Sequence, residues 1–138
     1  LTDAFQYMVE KGAKLKVEDV EGWYDAGKID TLLETKKIIL EKRRMARKPA
    51  NLSKDAKIVE PVYIEDGVTI RRSTVGPNVS IGAGTVVEDS TIRDAIVGEK
   101  SRILRCHLHH SLIGAEVVLE GFSGDATVGD HSELRGKQ

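Results

Sequence analysis

The sequence predicts a mainly β protein: a parallel β-helix of hexapeptide repeats that runs from about Ile58 to Leu134. Aliphatic residues recur there at steps of five or six, whereas a helix gives steps of three and four and an isolated strand steps of two. A sustained step near six is typical of a solenoid in which each short strand forms one side of a triangular coil. The positions are Ile58, Ile64, Ile70, Val75, Ile81, Val87, Ile92, Val97, Ile103, Leu108, Ile113 and Leu119.

The composition favours the same repetitive core. Aromatic residues make up only 4% of the chain and glycines number 13, which suits stacked coils better than a mixed α/β core. Roughly three repeats form one coil, so the tract supplies about four to five coils, stacked ~4.8 Å apart. We expect the inward aliphatic side chains to form three columns. Glycine follows the aliphatic residue at five positions, where we expect tight corners, some of them with positive φ: Val75, Ile81, Val97, Ile113 and Val128.

The periodicity changes near the end of the tract. After Leu119 the segment EGFSGDAT lengthens the step to nine before Val128 and Leu134 resume it. We interpret this segment as a bulging loop at the last coil or as a cap, because an open solenoid end exposes unpaired strand edges.

The first 48 residues predict a small α+β segment followed by a helix. Thr2 or Asp3 is the predicted cap of a short helix that Gly12 ends. Apolar patterning predicts two short strands, over residues 14–19 and 23–25. The next helix has Asp30 as its predicted N-cap and stops before Pro49, with 49–57 as a linker and 58–138 as the β-helix domain. Its predicted apolar stripe contains Leu32, Leu33, Lys36, Ile39 and Leu40.

Charge and cysteine content exclude several classes of partner. The net charge of -1 gives no general attraction to nucleic acid or to an anionic membrane, and no apolar run has the length of a membrane span. Cys106 is the only cysteine, so no intrachain disulfide forms and we expect a reducing, cytoplasmic location.

A basic run at the end of the second helix predicts a solvated face, with contact to phosphate or an acidic partner as the alternative. It comprises Lys42, Arg43, Arg44, Arg47 and Lys48.

Three segments carry a resemblance to known families. The stretch IGAG followed by VVEDSTI resembles the hexapeptide-repeat proteins, whose solenoids are left-handed β-helices. The segment VEGWYDAGKIDTLLETKKIIL resembles the C-terminal end of the catalytic domain of sugar-1-phosphate nucleotidyltransferases, and the opening LTDAF resembles another part of that domain. Over essentially all 138 residues, the chain resembles the C-terminal portion of a long-form glucose-1-phosphate thymidylyltransferase.

The resemblance implies a reaction and a role for two residues. Such enzymes join a sugar 1-phosphate to a nucleoside triphosphate, release pyrophosphate and use Mg²⁺; their β-helix would serve oligomerisation or regulation. Asp25 would be a metal ligand and Trp23 would line the substrate pocket. Taken from the residues alone, Asp25 instead caps the turn at Ala26–Gly27.

One part of the family pattern is missing. The chain contains no N-terminal glycine-rich nucleotide loop, and IGAG lies inside the β-helix without opening a helix. We therefore expect this chain to be inactive alone and to bind no Mg²⁺ by itself. Its expected partners are other copies of the chain, through the β-helix; sugar phosphate and nucleotide would bind the full-length enzyme.

The cluster CHLHH leaves three interpretations open. His107, His109 or His110 would be the general base of a hexapeptide-repeat acyltransferase. Alternatively the histidines bind zinc, as in β-helical carbonic anhydrases, although the four-residue separation of the last two histidines there is absent here. The favoured interpretation is surface or interface histidines, His131 included, with His107 and His109 pointing outward on either side of an inward Leu108. A purely structural oligomerisation module is the third functional alternative.

Overall fold

The computed structural model describes residues 1–43 and 52–136, and within them the chain forms two helices and a β-solenoid of about five turns. The strand pairs are parallel, and the arrangement is consistent with a left-handed β-helix. The helices are α1 (Thr2–Glu10) and α2 (Ile29–Arg43). The strands are β1 (Lys57–Ile58), β2 (Val62–Ile64), β3 (Thr69–Arg71), β4 (Thr74–Val75), β5 (Val79–Ile81), β6 (Val86–Glu88), β7 (Thr91–Val97), β8 (Arg102–Leu104), β9 (His107–Ile113), β10 (Val118–Glu120), β11 (Ser123–Gly124), β12 (Thr127–Val128) and β13 (Glu133–Arg135). Neither described helix has the length and apolar character needed to cross a bilayer.

The predicted inward residues form the core. Of the positions up to Leu119, Ile58 is partly buried and the others are at most 2% exposed. Beyond them, Val128 is partly buried and Leu134 is 46% exposed. They stack in three columns because each strand pairs in register with the strand one coil further along. In the column that contains Ile103, for example, Val87 pairs with Ile103 and Ile103 pairs with Leu119. Burial of each such side chain contributes about 1.5–3 kcal/mol, so the repeat spacing is also the main source of stability.

Polar residues take most of the positive-φ corners in the described solenoid, and one of the predicted glycines takes another. Of the glycines that follow an aliphatic residue, Gly76 has a positive φ (106°) and Gly82, Gly98 and Gly114 do not. One corner column has Asn78 and Asp94 in the left-handed region, which Asn and Asp tolerate better than most residues. The positive-φ residues outside glycine are Arg72, Asn78, Asp89, Asp94, Lys100, Arg105, His110, Glu116 and His131.

The column Gly82, Gly98, Gly114 has a different physical basis, which is close approach between coils. A Cβ added to Gly98 would lie 2.5 Å from the backbone nitrogen of Ala115, closer than real Cβ atoms come. Gly82 meets the backbone nitrogen of Glu99 at the same distance. Glycine is therefore required where adjacent backbones nearly touch.

Buried hydroxyl groups form ladders inside two other corners. The amide of Ser90 donates to the Ser73 hydroxyl, and the amide of Cys106 donates to the Ser90 hydroxyl, both at 3.0 Å. In a second ladder the amide of Val117 donates to the Ser101 hydroxyl at 3.0 Å. These contacts satisfy buried polar groups that would otherwise each destabilise the core by about 1–3 kcal/mol.

The segment EGFSGDAT is part of the fifth coil, so the predicted bulge or cap is wrong. Strands β11 and β12 both pair with β9, which places Gly124 beside Leu108 in an inward column. The periodicity fades because this inward position has no side chain. The coil is also shorter here, since Ser123 pairs with His107 but Thr127 already pairs with Leu112.

The first 28 residues differ from the predicted α+β segment in two ways. Helix α1 has Leu1 as its N-cap and no side-chain capping bond, so neither Thr2 nor Asp3 caps it. Gly12, with a φ of 84°, ends it as predicted. Residues 13–28 are exposed and contain no strand, because the described residues supply no neighbouring strand for hydrogen bonding.

Helix α2 packs along the solenoid and is anchored by the predicted stripe. Leu33, Lys36 and Leu40 are buried, whereas Ile39 is 42% exposed. The helix begins at Ile29, so Asp30 is its second residue and not its N-cap.

Residues 44–51 lie outside the described part of the chain, and with them Pro49, most of the predicted basic run and the start of the predicted linker. Beyond them, Leu52 and Ala56 pack against the solenoid core. The predicted domain boundaries stay a prediction.

The glycine column provides a matched test of coil stacking. Gly98→Ala should lower the free energy of unfolding by about 2–3 kcal/mol, because its Cβ would overlap backbone atoms of the next coil. Gly129 occupies the equivalent corner of the last coil, where no described atom lies within 4 Å of an added Cβ. Urea denaturation of Gly129→Ala should therefore give a change within about 0.5 kcal/mol. Equal losses for both variants would contradict the close-approach explanation.

Candidate functional site

The segment before α2 forms an open groove against that helix. The groove has a volume of about 280 Å³ and is lined by Trp23, Tyr24, Asp25, Thr31, Glu34, Thr35 and Ile38. The Thr35 hydroxyl donates to the backbone oxygen of Asp25 at 3.2 Å, and the Lys42 ammonium donates to the Tyr24 hydroxyl at 2.7 Å. These bonds hold the segment on α2, so the two candidate residues from the sequence lie beside the helix that reaches the solenoid.

Asp25 makes the turn contact that the residues alone suggested. Its Oδ1 accepts a hydrogen bond from the backbone amide of Gly27 at 2.9 Å, which closes the turn before α2. Trp23 is 88% exposed. Within the described residues no group of three or more His, Cys, Asp or Glu side chains is arranged to hold a metal. Asp25 thus supplies one carboxylate and not a complete Mg²⁺ site, and its role as a metal ligand stays a prediction.

Cys106 belongs to the core. Its side chain is fully buried, its Sγ lies 3.2 Å from the backbone oxygen of Leu104, and burial raises the pKa of its thiol. The thiol extends the serine ladder of the preceding coils. This placement suits a structural role, because a reactive thiolate requires exposure and a lowered pKa.

The outward histidines lie as predicted. His107 and His109 are exposed on either side of the buried Leu108. The Nδ1 atom of His109 contacts a carboxylate oxygen of Asp125 in the next coil, and His131 lies 3.3 Å from a carboxylate oxygen of Glu116. Contacts of this kind between coils fit the surface interpretation. A role for these histidines as acyltransferase bases stays a prediction.

His110 differs from its neighbours because it joins the solenoid to α2. Its Nε2 lies 2.8 Å from Oδ1 of Asp30 on α2, and its Nδ1 lies 3.3 Å from Oδ2 of Asp94 in the preceding coil. The other oxygen of Asp94 is 3.2 Å from Nζ of Lys36, again on α2. We call these four residues, Asp30, Lys36, Asp94 and His110, the helix–solenoid cluster.

Lys36 is the buried member of this cluster. Its ammonium also donates to the backbone oxygen of Asn78 at 2.6 Å and approaches that of Ala95 at 3.5 Å. Burial lowers the pKa of Lys36, opposed by the charge of Asp94. Partners on the solenoid corner therefore offset part of the cost of burying the ammonium.

The pKa of His110 moves in the opposite direction. Hydrogen bonds with Asp30 and then with Asp94 raise it above the ordinary value of 6.5. A neutral imidazole carries only one N–H, so it donates to one carboxylate and leaves its other nitrogen lone pair facing the second. The imidazolium donates to both, which is why two carboxylates favour the protonated ring.

Sequence reasoning did not find this cluster, although two signals for it were present. Lys36 lies within an otherwise apolar helical stripe, which indicates a buried cation that needs acceptors. Asp94 and His110 occupy one corner column, 16 residues apart. The sequence does not indicate that α2 packs against this particular column.

The fold and the segment that precedes it together define a class: a β-solenoid joined through a helix to a segment like the end of a sugar nucleotidyltransferase catalytic domain. Comparison with known proteins supports that class. The chain is 29% identical over 160 residues to a glucose-1-phosphate thymidylyltransferase of Streptomyces griseus, in a match that covers 98% of this chain and 44% of the relative. It is 30% identical over 135 residues to the low-salt glycan biosynthesis nucleotidyltransferase Agl11 of Haloferax volcanii, covering 83% of this chain and 38% of that protein.

These matches confirm the resemblance inferred from the sequence: the chain is a distant homologue of sugar nucleotidyltransferases. No family model matches it. The chain spans less than half the length of the two curated relatives.

The Lys36 contacts predict how α2 is held. Lys36→Met keeps most of the aliphatic side chain but leaves the acceptors at Asn78 and Asp94 without their donor, so we expect a loss of about 1–3 kcal/mol of stability in urea denaturation. Lys37→Met, on the exposed side of the same helix, is the control and should change stability by less than about 0.5 kcal/mol. If both substitutions behave alike, the buried ammonium does not anchor the helix.

Proposed function

We propose that this chain is the C-terminal part of a sugar-1-phosphate nucleotidyltransferase, an enzyme that forms a nucleotide-sugar and pyrophosphate from a nucleoside triphosphate and a sugar 1-phosphate. One observation carries the proposal. Nearly the whole chain, 98% of it, aligns with less than half of a glucose-1-phosphate thymidylyltransferase. The glycine-rich nucleotide loop and the remainder of the catalytic domain would then lie in the part of the full-length enzyme that this chain does not include.

In this proposal the groove at Trp23 and Asp25 is the chain's contribution to the catalytic part. Asp25 is held in place by the Gly27 amide and by Thr35, which contacts its backbone. An ordered carboxylate is what a Mg²⁺ ligand requires, and Mg²⁺ neutralises phosphate charge during phosphoryl transfer. Trp23 offers an exposed aromatic face that would line the substrate pocket.

We further propose that the β-helix serves assembly and that the protein is cytoplasmic. The parallel register makes the solenoid a stiff body, and its flat faces present half-buried Val86, Val118 and Leu104 between charged residues. Flat, mixed surfaces of this type suit symmetric packing of identical chains. The single thiol is buried and needs no oxidising environment.

The catalytic proposal is tested on the protein encoded by the whole reading frame. That frame should contain an upstream glycine-rich loop, and the protein should release pyrophosphate from a nucleoside triphosphate and glucose 1-phosphate with Mg²⁺. Asp25→Asn retains an oxygen for the Gly27 amide but loses the charge, so turnover should fall about 100-fold or more while the thermal midpoint stays within a few degrees. Asp19→Asn, on an exposed carboxylate of the same segment, is the control and should keep full turnover.

Two results would contradict the proposal: a reading frame without an upstream nucleotide loop, or full turnover in Asp25→Asn. The first would exclude the reaction, and the second only the role of Asp25. The assembly proposal is checked separately by light scattering, where we expect an oligomer whose mass does not change with dilution. A monomer would contradict it.

An acyltransferase is the second candidate, favoured by one observation. His109 pairs with Asp125, and a carboxylate that orients a histidine is a common feature of general bases. The test incubates the chain with acetyl-CoA and amino-sugar phosphates and compares it with the triple variant His107→Ala, His109→Ala, His110→Ala. Equal rates for the two proteins would rule out this candidate.

A further inference from the structure

We propose that the helix–solenoid cluster is a proton-dependent clasp: the protonated His110 ring ties α2 to the β-helix, and the tie weakens as the ring loses its proton. The inference concerns regulation of the junction between the groove and the solenoid. It does not depend on which reaction the protein catalyses.

The contacts of α2 make the cluster a two-point attachment. Asp30 and Lys36 lie on the same helix, six residues apart, and both contact one corner column of the solenoid. Asp30 binds that column through His110, and Lys36 binds it through Asp94 and the backbone oxygen of Asn78. Asp94 also faces His110, so the two attachments share one carboxylate.

The two attachment points respond differently to protons. Lys36 is 8% exposed and has three acceptors around it, so its contacts do not depend on the second proton of His110. The side chain of His110 is 41% exposed and depends on its second proton to donate to both carboxylates. Protonation therefore controls the attachment near the start of α2, while Lys36 keeps the middle of the helix in place.

Charged groups face the His110 ring from two of the elements that surround it. Asp30 faces it from α2 and Asp94 from the preceding coil, and these two carboxylates account for the direction of its titration. Lys36 touches Asp94 rather than the ring. In the following coil Asp125 pairs with His109, the neighbour of His110.

The direction of the effect follows from the raised pKa of His110. Binding of the proton is stronger in the folded protein than in the unfolded chain, so protonation stabilises the docked helix. This contribution is fully present below about pH 6.5, the ordinary value for histidine, and is lost as the pH rises through the higher folded value. Rising pH therefore loosens the start of α2.

The consequence is coupling between the solenoid and the groove. Helix α2 carries four residues of the groove: Thr31 and Glu34 on its first two turns, close to Asp30, and Thr35 and Ile38 on either side of Lys36. Fraying of these turns changes the support of the Trp23–Asp25 segment. The state of a histidine on the β-helix is thereby transmitted to the groove without any change in the coils.

Amide hydrogen exchange followed by NMR tests the clasp on this chain. After correction for intrinsic exchange, protection of amides in the first turns of α2, such as Leu33, should fall roughly two- to tenfold between pH 5.5 and pH 8.5, as expected for partly exposed charge-assisted pairs. Solenoid amides such as that of Ile103 are the internal reference and should keep their protection. The imidazole shifts of His110, titrated in the same samples, should show a midpoint above 6.5.

Three variants separate the clasp from a merely structural contact. His110→Asn places in this corner the residue that Asn78 already provides two positions earlier in the same column, so the corner should fold and the pH dependence should disappear. Asp30→Asn, on a side chain that is 83% exposed, should lower the His110 midpoint and shift the loss of protection to lower pH. His131→Gln removes a histidine that pairs far from α2 and should behave like the unaltered chain.

The proposal is overturned if α2 protection in the unaltered chain is the same at both pH values, or if His110→Asn retains the dependence. A dependence that disappears in His131→Gln would also overturn it, because the response would then come from another histidine.

Discussion

Close stacking of parallel coils in strict register is the constraint on which the rest of this structure depends. Each strand pairs with the strand one coil later, so a residue at any position stands above its equivalents in every other coil. The backbones come close enough at one corner that a Cβ on Gly98 would lie 2.5 Å from the next coil. The aliphatic columns, the buried hydroxyl ladders and the glycine column all follow from this one geometric requirement.

Stacking also explains why polar residues collect in particular places. A corner that needs positive φ recurs in every coil, and the residues that occupy it form a column on the surface. Asp94 and His110 are adjacent in one such column for this reason, although they are 16 residues apart. Backbone oxygens at the same corner, like that of Asn78, add acceptors at a fixed spacing. A repetitive fold thus places polar groups in a column along its surface, and a helix with complementary charges packs against that column.

The parts of the fold that were predictable from the sequence are those governed by periodicity. The inward aliphatic residues and the outward direction of His107 and His109 required only the repeat spacing, since each coil imposes its pattern on the next. The corners were not predictable in the same way. Aliphatic–Gly pairs suggested positive φ, whereas at Gly98 and Gly114 the reason for glycine is contact between coils, which only the stacked structure reveals.

Predictions that needed a distant partner were less successful for a physical reason. Residues 14–19 and 23–25 have the patterning of strands, but a strand forms only beside another strand, and the described residues offer none there. The helix–solenoid cluster is the opposite case, because its partners exist but lie 80 residues apart, as Asp30 and His110 do. The local sequence shows that Lys36 lies in an apolar stripe, but it does not identify the acceptors that Lys36 contacts.

The buried lysine also explains how α2 keeps a single position on a solenoid surface that repeats. After a shift of one coil, about 4.8 Å, toward the later coils, the helix would face Ser80 and Ile96 in place of Tyr63 and Ser80. Moving the helix by one coil would take Lys36 away from Asp94 and Asp30 away from His110, leaving a buried ammonium without its carboxylate. Loss of a buried charge's partner costs about 3–5 kcal/mol, which disfavours the shifted position. The polar cluster therefore specifies the register of the helix on the β-helix, and through the helix it specifies where the Trp23–Asp25 groove stands relative to the coils.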